Sequence, residues 1–273
     1  MKKIHFCTFV FVMFCAVILT AQNSDNLTNL IEDYCYTLHD RFKDESWTDF
    51  SMDYAGTFRI KEGDSLFTVK PVRNTQNTEN AYGSGEATLS FFRSGETKPF
   101  QTMTIRDPLS FQDLSFACID MNADGFEEIA FVDDVSAGGI WLGFLRYNSK
   151  KECFESFDLF GNAAGDNQRR ILAIGNPLVS PAKKLLLCGE QFGWGHLAYT
   201  LYAIGKDFKL KELYTLQIDQ DTINEIGEAA VCFKLYESSH LSTISFVPDN
   251  CSISEAERIL HESSILSRME KYY

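Results

Sequence analysis

Beyond its first twenty positions the sequence has no long apolar run, and it is poor in basic residues. No stretch after Leu19 approaches the ~18 consecutive apolar residues of a transmembrane helix. The 273 residues include 25 lysines and arginines against 38 aspartates and glutamates, a formal net charge of −13. Because nucleic-acid binding needs clustered positive charge, this balance argues against a DNA- or RNA-binding protein. It suits calcium, a cationic partner or simple solubility.

The common signatures of enzymes and zinc sites are also missing. No C-x-x-C pair is present, so a zinc ribbon or a thioredoxin-like site is not expected. The sequence contains neither a G-x-S-x-G nucleophile elbow nor a P-loop. The histidines beyond the N-terminal segment have no H-E-x-x-H or H-x-x-x-H spacing that would bind zinc: His39, His196, His240 and His261.

Acidic residues are numerous enough that pairs resembling a glycosidase site can be drawn, such as Asp133 or Asp134 with Asp158. Two-carboxylate catalysis needs a defined separation and a raised pKa on one group, and the sequence shows neither. We expect Asp133 and Asp134 to form the turn after a strand, or to add charge near a bound cation.

Residues 1–21 have the pattern of a secretory signal peptide. Two lysines precede an apolar run from Ile4 to Leu19, and Ala21 is the last residue before the expected cleavage. The sequence therefore predicts an exported protein, periplasmic or extracellular, with no transmembrane span after signal removal.

Six cysteines follow the signal peptide, and two roles for them stay open. An exported chain can pair them as disulfides, for which six cysteines allow about fifteen connectivities. They can equally serve as small buried side chains. They are Cys35, Cys118, Cys153, Cys188, Cys232 and Cys251.

Residues 120–128, DMNADGFEE, place oxygen-bearing side chains at positions 1, 3, 5 and 9 of a short loop, with glycine at position 6. Ca²⁺ takes roughly six to eight oxygen ligands, and glycine readily adopts the positive φ of a sharp reversal. An acidic turn without a metal is the alternative, since Asp, Asn and Gly also favour turns. The predicted ligands are four side chains and one backbone carbonyl, that of Phe126: Asp120, Asn122, Asp124, Phe126 and Glu128.

This loop differs from an EF-hand. An EF-hand has a bidentate glutamate at position 12, where this sequence has Phe131, and it is flanked by helices. Here residues 114–119 and 129–132 are short apolar runs of strand length. The predicted role of the ion is structural, because the negative charges of one short loop repel one another without a cation.

Short strand patterns separated by Gly, Asp, Asn and Ser turns fill most of the chain. A helical pattern lies near residues 25–42, and a second begins near Ser254, where Ser254 and Glu257 fit a capping box. We predict a mainly β, antiparallel β-propeller-like domain with an N-terminal and a C-terminal helix, and no linker divides it. The predicted strands are 55–60, 65–70, 86–93, 99–105, 114–119, 129–132, 140–147, 152–157, 171–174, 184–188, 197–204, 209–217, 229–236 and 243–247. The predicted boundaries are 1–21 for the signal peptide, 22–53 for a helical lead-in, 54–250 for the calcium-binding β domain and 251–273 for the C-terminal helix.

The calcium loop between strands resembles the loops of FG-GAP and VCBS β-propeller blades. Over about residues 55–218, the order of features is similar to that of a family of exported bacterial propeller-like proteins. These features are a strand pair at 90–103, a Gly-containing loop and hairpin at 137–142, an Asn-Pro segment at 175–184, and a Gly-rich loop and hairpin at 193–210. Glu128 departs from the family pattern, which has Asp there. The motif occurs once, which excludes a large integrin-like propeller.

Some members of that family inhibit peptidoglycan hydrolases of the lysozyme type or act as immunity proteins. The resemblance therefore implies a calcium-dependent protein-binding module and not an enzyme, with a peptidoglycan hydrolase as a candidate partner. The alternative is a hydrolase that acts on envelope polysaccharide through carboxylates that the sequence does not identify.

Residues 191–196, QFGWGH, form a glycine-containing segment with aromatic side chains, a composition enriched at protein interfaces. Phe192, Trp194 and His196 are the candidate partner contacts. The alternative is a hairpin in which Trp194 folds back onto the core.

Overall fold

The computed structural model describes residues 34–35, 37–74, 84–108, 114–136, 139–157, 159–160, 170–173, 177–191, 195–224 and 227–273. The predicted signal peptide and most of the predicted N-terminal helix lie outside these residues. The described chain is mainly β with antiparallel sheets, which confirms the coarse fold class. None of its described helices has the length and apolar character needed to span a membrane.

The chain forms two compact units. The larger unit contains residues 44–217 and 236–240, and the smaller unit contains the described part of 1–43 together with 218–235 and 241–273. The boundaries at 217 and 235 fall inside strands, namely Leu210–Ile223 and Ala229–Glu237.

Three sheets build the larger unit. The first sheet has the order β2-β3-β4-β5, and the second has the order β10-β8-β7-β6 with β9 also on β8. The third sheet begins β1-β11-β12-β13-β14. In chain order the strands are β1 (Thr48–Asp49), β2 (Phe58–Glu62), β3 (Ser65–Arg73), β4 (Ser84–Arg93), β5 (Gln101–Pro108), β6 (Phe116–Ile119), β7 (Glu128–Ser136), β8 (Gly139–Asn148), β9 (Cys153–Ser156), β10 (Arg170–Ala173), β11 (Leu178–Ser180), β12 (Leu185–Gln191), β13 (His196–Ile204) and β14 (Leu210–Ile223).

The second sheet is buried on both faces. Successive side chains of a strand point to opposite faces. In β7, Ile129 and Phe131 join a core cluster with the first sheet, while Ala130 and Val132 join a cluster with the third. The two-sided burial explains why residues 129–132 form a continuous apolar run instead of an alternating one.

Gly143 in β8 is fixed by a neighbouring ring. A Cβ atom at Gly143 would lie 2.5 Å from Cζ of Phe131. Phe131 is buried and faces the first sheet, so its ring packs directly over the glycine backbone. Glycine is therefore required at this position by packing and not by its φ angle.

The smaller unit contains the remainder of β14 and all but the ends nearest 236–240 of β15 (Ala229–Glu237) and β16 (His240–Pro248), in that sheet order. A 3₁₀ helix covers Leu38–Phe42, and Tyr34, Cys35 and Thr37 before it are also helical. The buried His39 ring contacts the C-terminal residue, with Nδ1 2.8 Å from the Tyr273 hydroxyl.

The C-terminal segment forms two helices, α1 (Ile253–Glu262) and α2 (Ile265–Glu270). The hydroxyl of Ser252 accepts from the backbone N–H of Glu255 at 3.3 Å, so Ser252 is the N-cap. The predicted capping box at Ser254 and Glu257 is therefore wrong by two residues. Ser264, with φ of 68°, separates the two helices where one was predicted.

The six cysteines after the predicted signal peptide are all present as thiols. Cys35, Cys188 and Cys232 are buried, and the other three are partly buried. The structure thus favours the second of the two roles that the sequence left open.

Candidate calcium site

The loop 120–127 joins β6 to β7, which pair antiparallel with Ile119 opposite Glu128. The prediction that this loop connects strands and not helices is confirmed. Ala123, with φ of 54°, and Gly125, with φ of 88°, turn the chain sharply. Glycine adopts a positive φ at little cost, so Gly125 allows the sharp reversal that the sequence predicted at position 6 of the loop.

The loop curls around its own acidic side chains. Asp120 accepts from the backbone N–H groups of Asp124 at 3.0 Å and Gly125 at 2.8 Å. Asp124 accepts from the backbone N–H of Phe126 at 3.0 Å and from the amide of Asn122 at 3.0 Å. A carboxylate has roughly four lone-pair positions, so these bonds leave acceptor capacity on both aspartates.

Glu128 is buried beneath the loop, with 1 % of its surface exposed. One carboxyl oxygen accepts from the backbone N–H of Met121 at 3.1 Å. Burial raises the pKa of Glu128 to about 9, and the nearby charges of Asp124, Asp120 and Glu62 add to the rise. The carboxyl group of Glu128 is thus removed from water, and no described basic side chain forms an ion pair with it.

Glu62, at the end of β2, is a site residue that the sequence analysis missed. It is 5 % exposed, and its Oε1 atom has no hydrogen-bond partner among the described residues. Burial raises the pKa of Glu62 to about 8, and the negative charges of Asp124, Glu127 and Asp120 contribute smaller increases. Phe58 and Ile60 point inward on the same strand, and Glu62 follows them at the same two-residue spacing. An acidic residue at an inward-facing strand position is the sequence signal that could have identified it.

Phe126 lies opposite Glu62 in an isolated antiparallel bridge. Gly63 N–H donates to Gly125 O at 3.2 Å and Glu127 N–H donates to Lys61 O at 3.0 Å. These bonds flank the Glu62–Phe126 pair, which is therefore a non-hydrogen-bonded pair. The backbone N–H of Phe126 turns to the loop instead, where it donates to Asp124.

An open cleft of about 370 Å³ lies beside the loop. Acidic side chains line part of it (Glu62, Asp124 and Glu128), and basic side chains line another part (Arg146, Lys150 and Lys206). The guanidinium of Arg146 lies 5.1 Å from the ring centroids of both Phe157 and Phe208, which hold it in place. The cleft thus has both signs of charge within one small space.

Among the described residues, no three His, Cys, Asp or Glu side chains are already arranged to hold a metal ion. The loop carboxylates are turned toward loop N–H groups, and coordination requires them to turn toward a common centre. The donor chemistry fits Ca²⁺, because every candidate ligand is an oxygen and most are anionic. The buried acids Glu128 and Glu62 fit it as well, because neither forms an ion pair with a basic side chain in the described part of the chain.

Of the other candidate residues, the described ones, His196, Asp133 and Asp134, do not line this cleft. His196 is exposed at the start of β13, while Phe192 and Trp194 lie outside the described residues. Asp133 and Asp134 lie within β7 at a bulge, and both contact Arg170 Nη1, at 3.1 and 3.5 Å. The predicted turn at Asp133 and Asp134 is therefore wrong. Asp158 lies outside the described residues.

Comparison with known proteins gave no match: no family model, no curated protein and no solved structure is significantly similar to the chain.

Proposed function

We propose that the protein is an exported calcium-binding β protein that acts as a protein-binding module, with the ion holding one end of the larger unit in shape. Buried Glu128 beside Asp120 and Asp124 is the observation that supports this most. A buried carboxylate without a positive partner is costly, and it either stays protonated or binds a cation. A loop with this order of oxygen donors favours Ca²⁺ as that cation.

The ion would be held by the side chains of Asp120, Asn122, Asp124 and Glu128 and by the carbonyl of Phe126. When bound it supplies positive charge to a cluster of acids and joins the ends of β6 and β7. The chain's own residues shape the site through the tight turn at Gly125 and the buried position of Glu128.

The finer fold that we propose is propeller-like. The first sheet is an up-and-down meander, and the second sheet packs against it face to face, as neighbouring blades do. In addition, β1 pairs with β11 at the edge of the third sheet, so a strand from the start of the unit completes a later sheet.

A partner would bind near the cleft. Phe126, at the tip of the loop, is 43 % exposed and lines the cleft together with charged residues of both signs. An exposed aromatic ring beside charged groups has the composition of a protein contact. The resemblance to exported hydrolase inhibitors suggests a peptidoglycan hydrolase as the partner, with Phe192, Trp194 and His196 as further candidate contacts.

The test combines capture and inhibition. Immobilised protein is incubated with an envelope fraction in calcium and in chelator, and a lysozyme-type hydrolase is assayed with the wild type and with Asp120→Ala combined with Asp124→Ala. We expect capture and inhibition by the wild type in calcium, and loss of both in chelator or in the variant. Turnover of peptidoglycan by the purified protein would contradict the binding module and support the alternative hydrolase.

A further inference from the structure

We infer that Glu62, from the β2–β3 hairpin, is an additional ligand of the calcium ion held by residues 120–128. The ion would then join two hairpins that are about sixty residues apart in the sequence. This inference rests on the proposed calcium site and adds a ligand that the loop motif does not contain.

The backbone already fixes Glu62 against the loop. The hydrogen bonds between Gly63 and Gly125 and between Glu127 and Lys61 place Glu62 directly opposite Phe126. In a non-hydrogen-bonded antiparallel pair the two Cα atoms are only about 4.5 Å apart. Glu62 is therefore adjacent to the residue whose carbonyl is the expected ligand at position 7.

The side chain of Glu62 is buried and turned toward the acids of the loop. It lines the same cleft as Asp124 and Glu128. Its Oε1 atom has no hydrogen-bond partner among the described residues. A buried carboxylate oxygen without a donor is rare in proteins and points to a missing ligand.

The loop alone is also short of ligands. It offers five groups, namely four side chains and one carbonyl, whereas Ca²⁺ takes roughly six to eight oxygens, so a bidentate carboxylate, water or a further ligand has to complete the set. Glu62 is a buried acid from outside the loop that lines the same cleft as Asp124 and Glu128. Adding it brings the set into the range that the ion prefers.

Calorimetric titration of the full chain with calcium tests the inference. The variants are Glu62→Gln, Glu127→Gln and Asp120→Ala with Asp124→Ala. Glu127→Gln is the matched control, because it makes the same charge change in the same corner while its carboxylate bonds to Lys61 N–H instead. We expect Glu62→Gln to weaken binding about tenfold or more and Glu127→Gln to weaken it less than about threefold.

Two further measurements separate a ligand from a neighbour. Europium luminescence lifetimes in light and heavy water count the waters on a bound lanthanide, and we expect Glu62→Gln to add water. In chelator, Glu62→Gln should melt no lower than the wild type, because it removes a buried charge and keeps the shape.

The outcomes are distinct. If the wild type binds calcium while Glu62→Gln matches it in affinity and in bound water, Glu62 is not a ligand and the loop site stands alone. If the wild type does not bind calcium, the proposed site fails and Glu62 fails with it.

Discussion

The side-chain amide of Gln101 exchanges two hydrogen bonds with the backbone of Phe154. Gln101 Nε2 donates to Phe154 O and Phe154 N–H donates to Gln101 Oε1, both at 2.7 Å. Gln101 begins β5 in the first sheet, whereas Phe154 lies in β9 of the second, so a side chain takes the place of a strand partner. The Phe154 ring stacks on Phe91 with centroids 4.4 Å apart, and the bonds therefore anchor a core ring.

Replacing Gln101 should destabilise the protein. Gln101→Ala leaves a backbone donor and acceptor without partners, and we expect the free energy of unfolding to fall by about 2 kcal/mol. Gln101→Glu should also destabilise, because a carboxylate cannot donate to Phe154 O. Urea denaturation measures both, with the exposed neighbour Thr102→Ala as control. Equal stability of Gln101→Ala and the control would contradict the bridging role.

Calcium should raise the thermal stability of the wild type. The ion offsets the repulsion among the loop acids, so the melting temperature should rise with calcium and fall with chelator. Asp120→Ala with Asp124→Ala should abolish the difference. Asp64→Ala removes an exposed acid from the β2–β3 turn and should retain it. A wild-type melting curve that is the same in calcium and chelator would refute the site.

Gly143→Ala should destabilise the second sheet. The new methyl group would meet the buried Phe131 ring at 2.5 Å, and displacing that ring costs roughly 1–3 kcal/mol. Gly56→Ala is the control, because nothing lies within 4 Å of its added Cβ. Urea denaturation of the two variants compares them directly. Full stability of Gly143→Ala would show that the ring moves without penalty.

His39 should make stability fall in mild acid. Burial, with Lys43 nearby, lowers its pKa from 6.5 to about 3, so the folded chain resists a proton that the unfolded chain accepts. The contribution of His39 is fully present above pH 6.5 and is lost as the pH falls from 6.5 toward 3, at roughly 1.4 kcal/mol per pH unit.

Urea denaturation of His39→Asn between pH 7 and pH 5 checks this, since the variant should show a shallower fall with acid than the wild type. His240→Asn, at an exposed histidine, is the control for the substitution itself. The decisive quantity is the slope against pH and not the stability at one pH. Parallel slopes for wild type and His39→Asn would contradict the assignment.

The buried cysteine thiols should react with a thiol reagent only after the protein unfolds. Burial raises the pKa of the Cys188 and Cys232 thiols, which suppresses the reactive thiolate. A thiol reagent should therefore count six groups in denaturant without reductant, and fewer in the native protein. A reductant should leave the melting temperature unchanged. A lower melting temperature in reductant would reveal a disulfide.

Strand positions were predictable from sequence because alternation and turn residues repeat along the chain. The hairpin turn at residues 148–150 is capped by the Asn148 side chain, as turn chemistry predicts. Two strands escaped prediction, Thr48–Asp49 and Leu178–Ser180, because two or three residues carry no period. Thr48–Asp49 is a strand through pairing with Leu178–Ser180, which also pairs with β12, and such pairing is a tertiary property.

The loop part of the candidate site could be predicted from sequence, whereas Glu62 could not. The loop motif is local, so its strand–loop–strand context could be inferred from adjacent residues. Glu62 comes from a different hairpin, and its burial depends on the contact between β2 and the loop. The predicted strand at 55–60 ended before Glu62, so its inward phase was not recognised.

Strands β2 and β7 of the larger unit should differ in how many of their positions tolerate substitution. In β2 buried and exposed residues alternate, so Arg59 and Lys61 can vary freely while Phe58 and Ile60 are held. In β7 all of residues 128–132 are buried, since sheets cover both faces. Saturation mutagenesis would find every second position of β2 permissive and five consecutive positions of β7 intolerant. A strand packed between two sheets thus has no exposed positions at which substitutions can accumulate without a cost in stability.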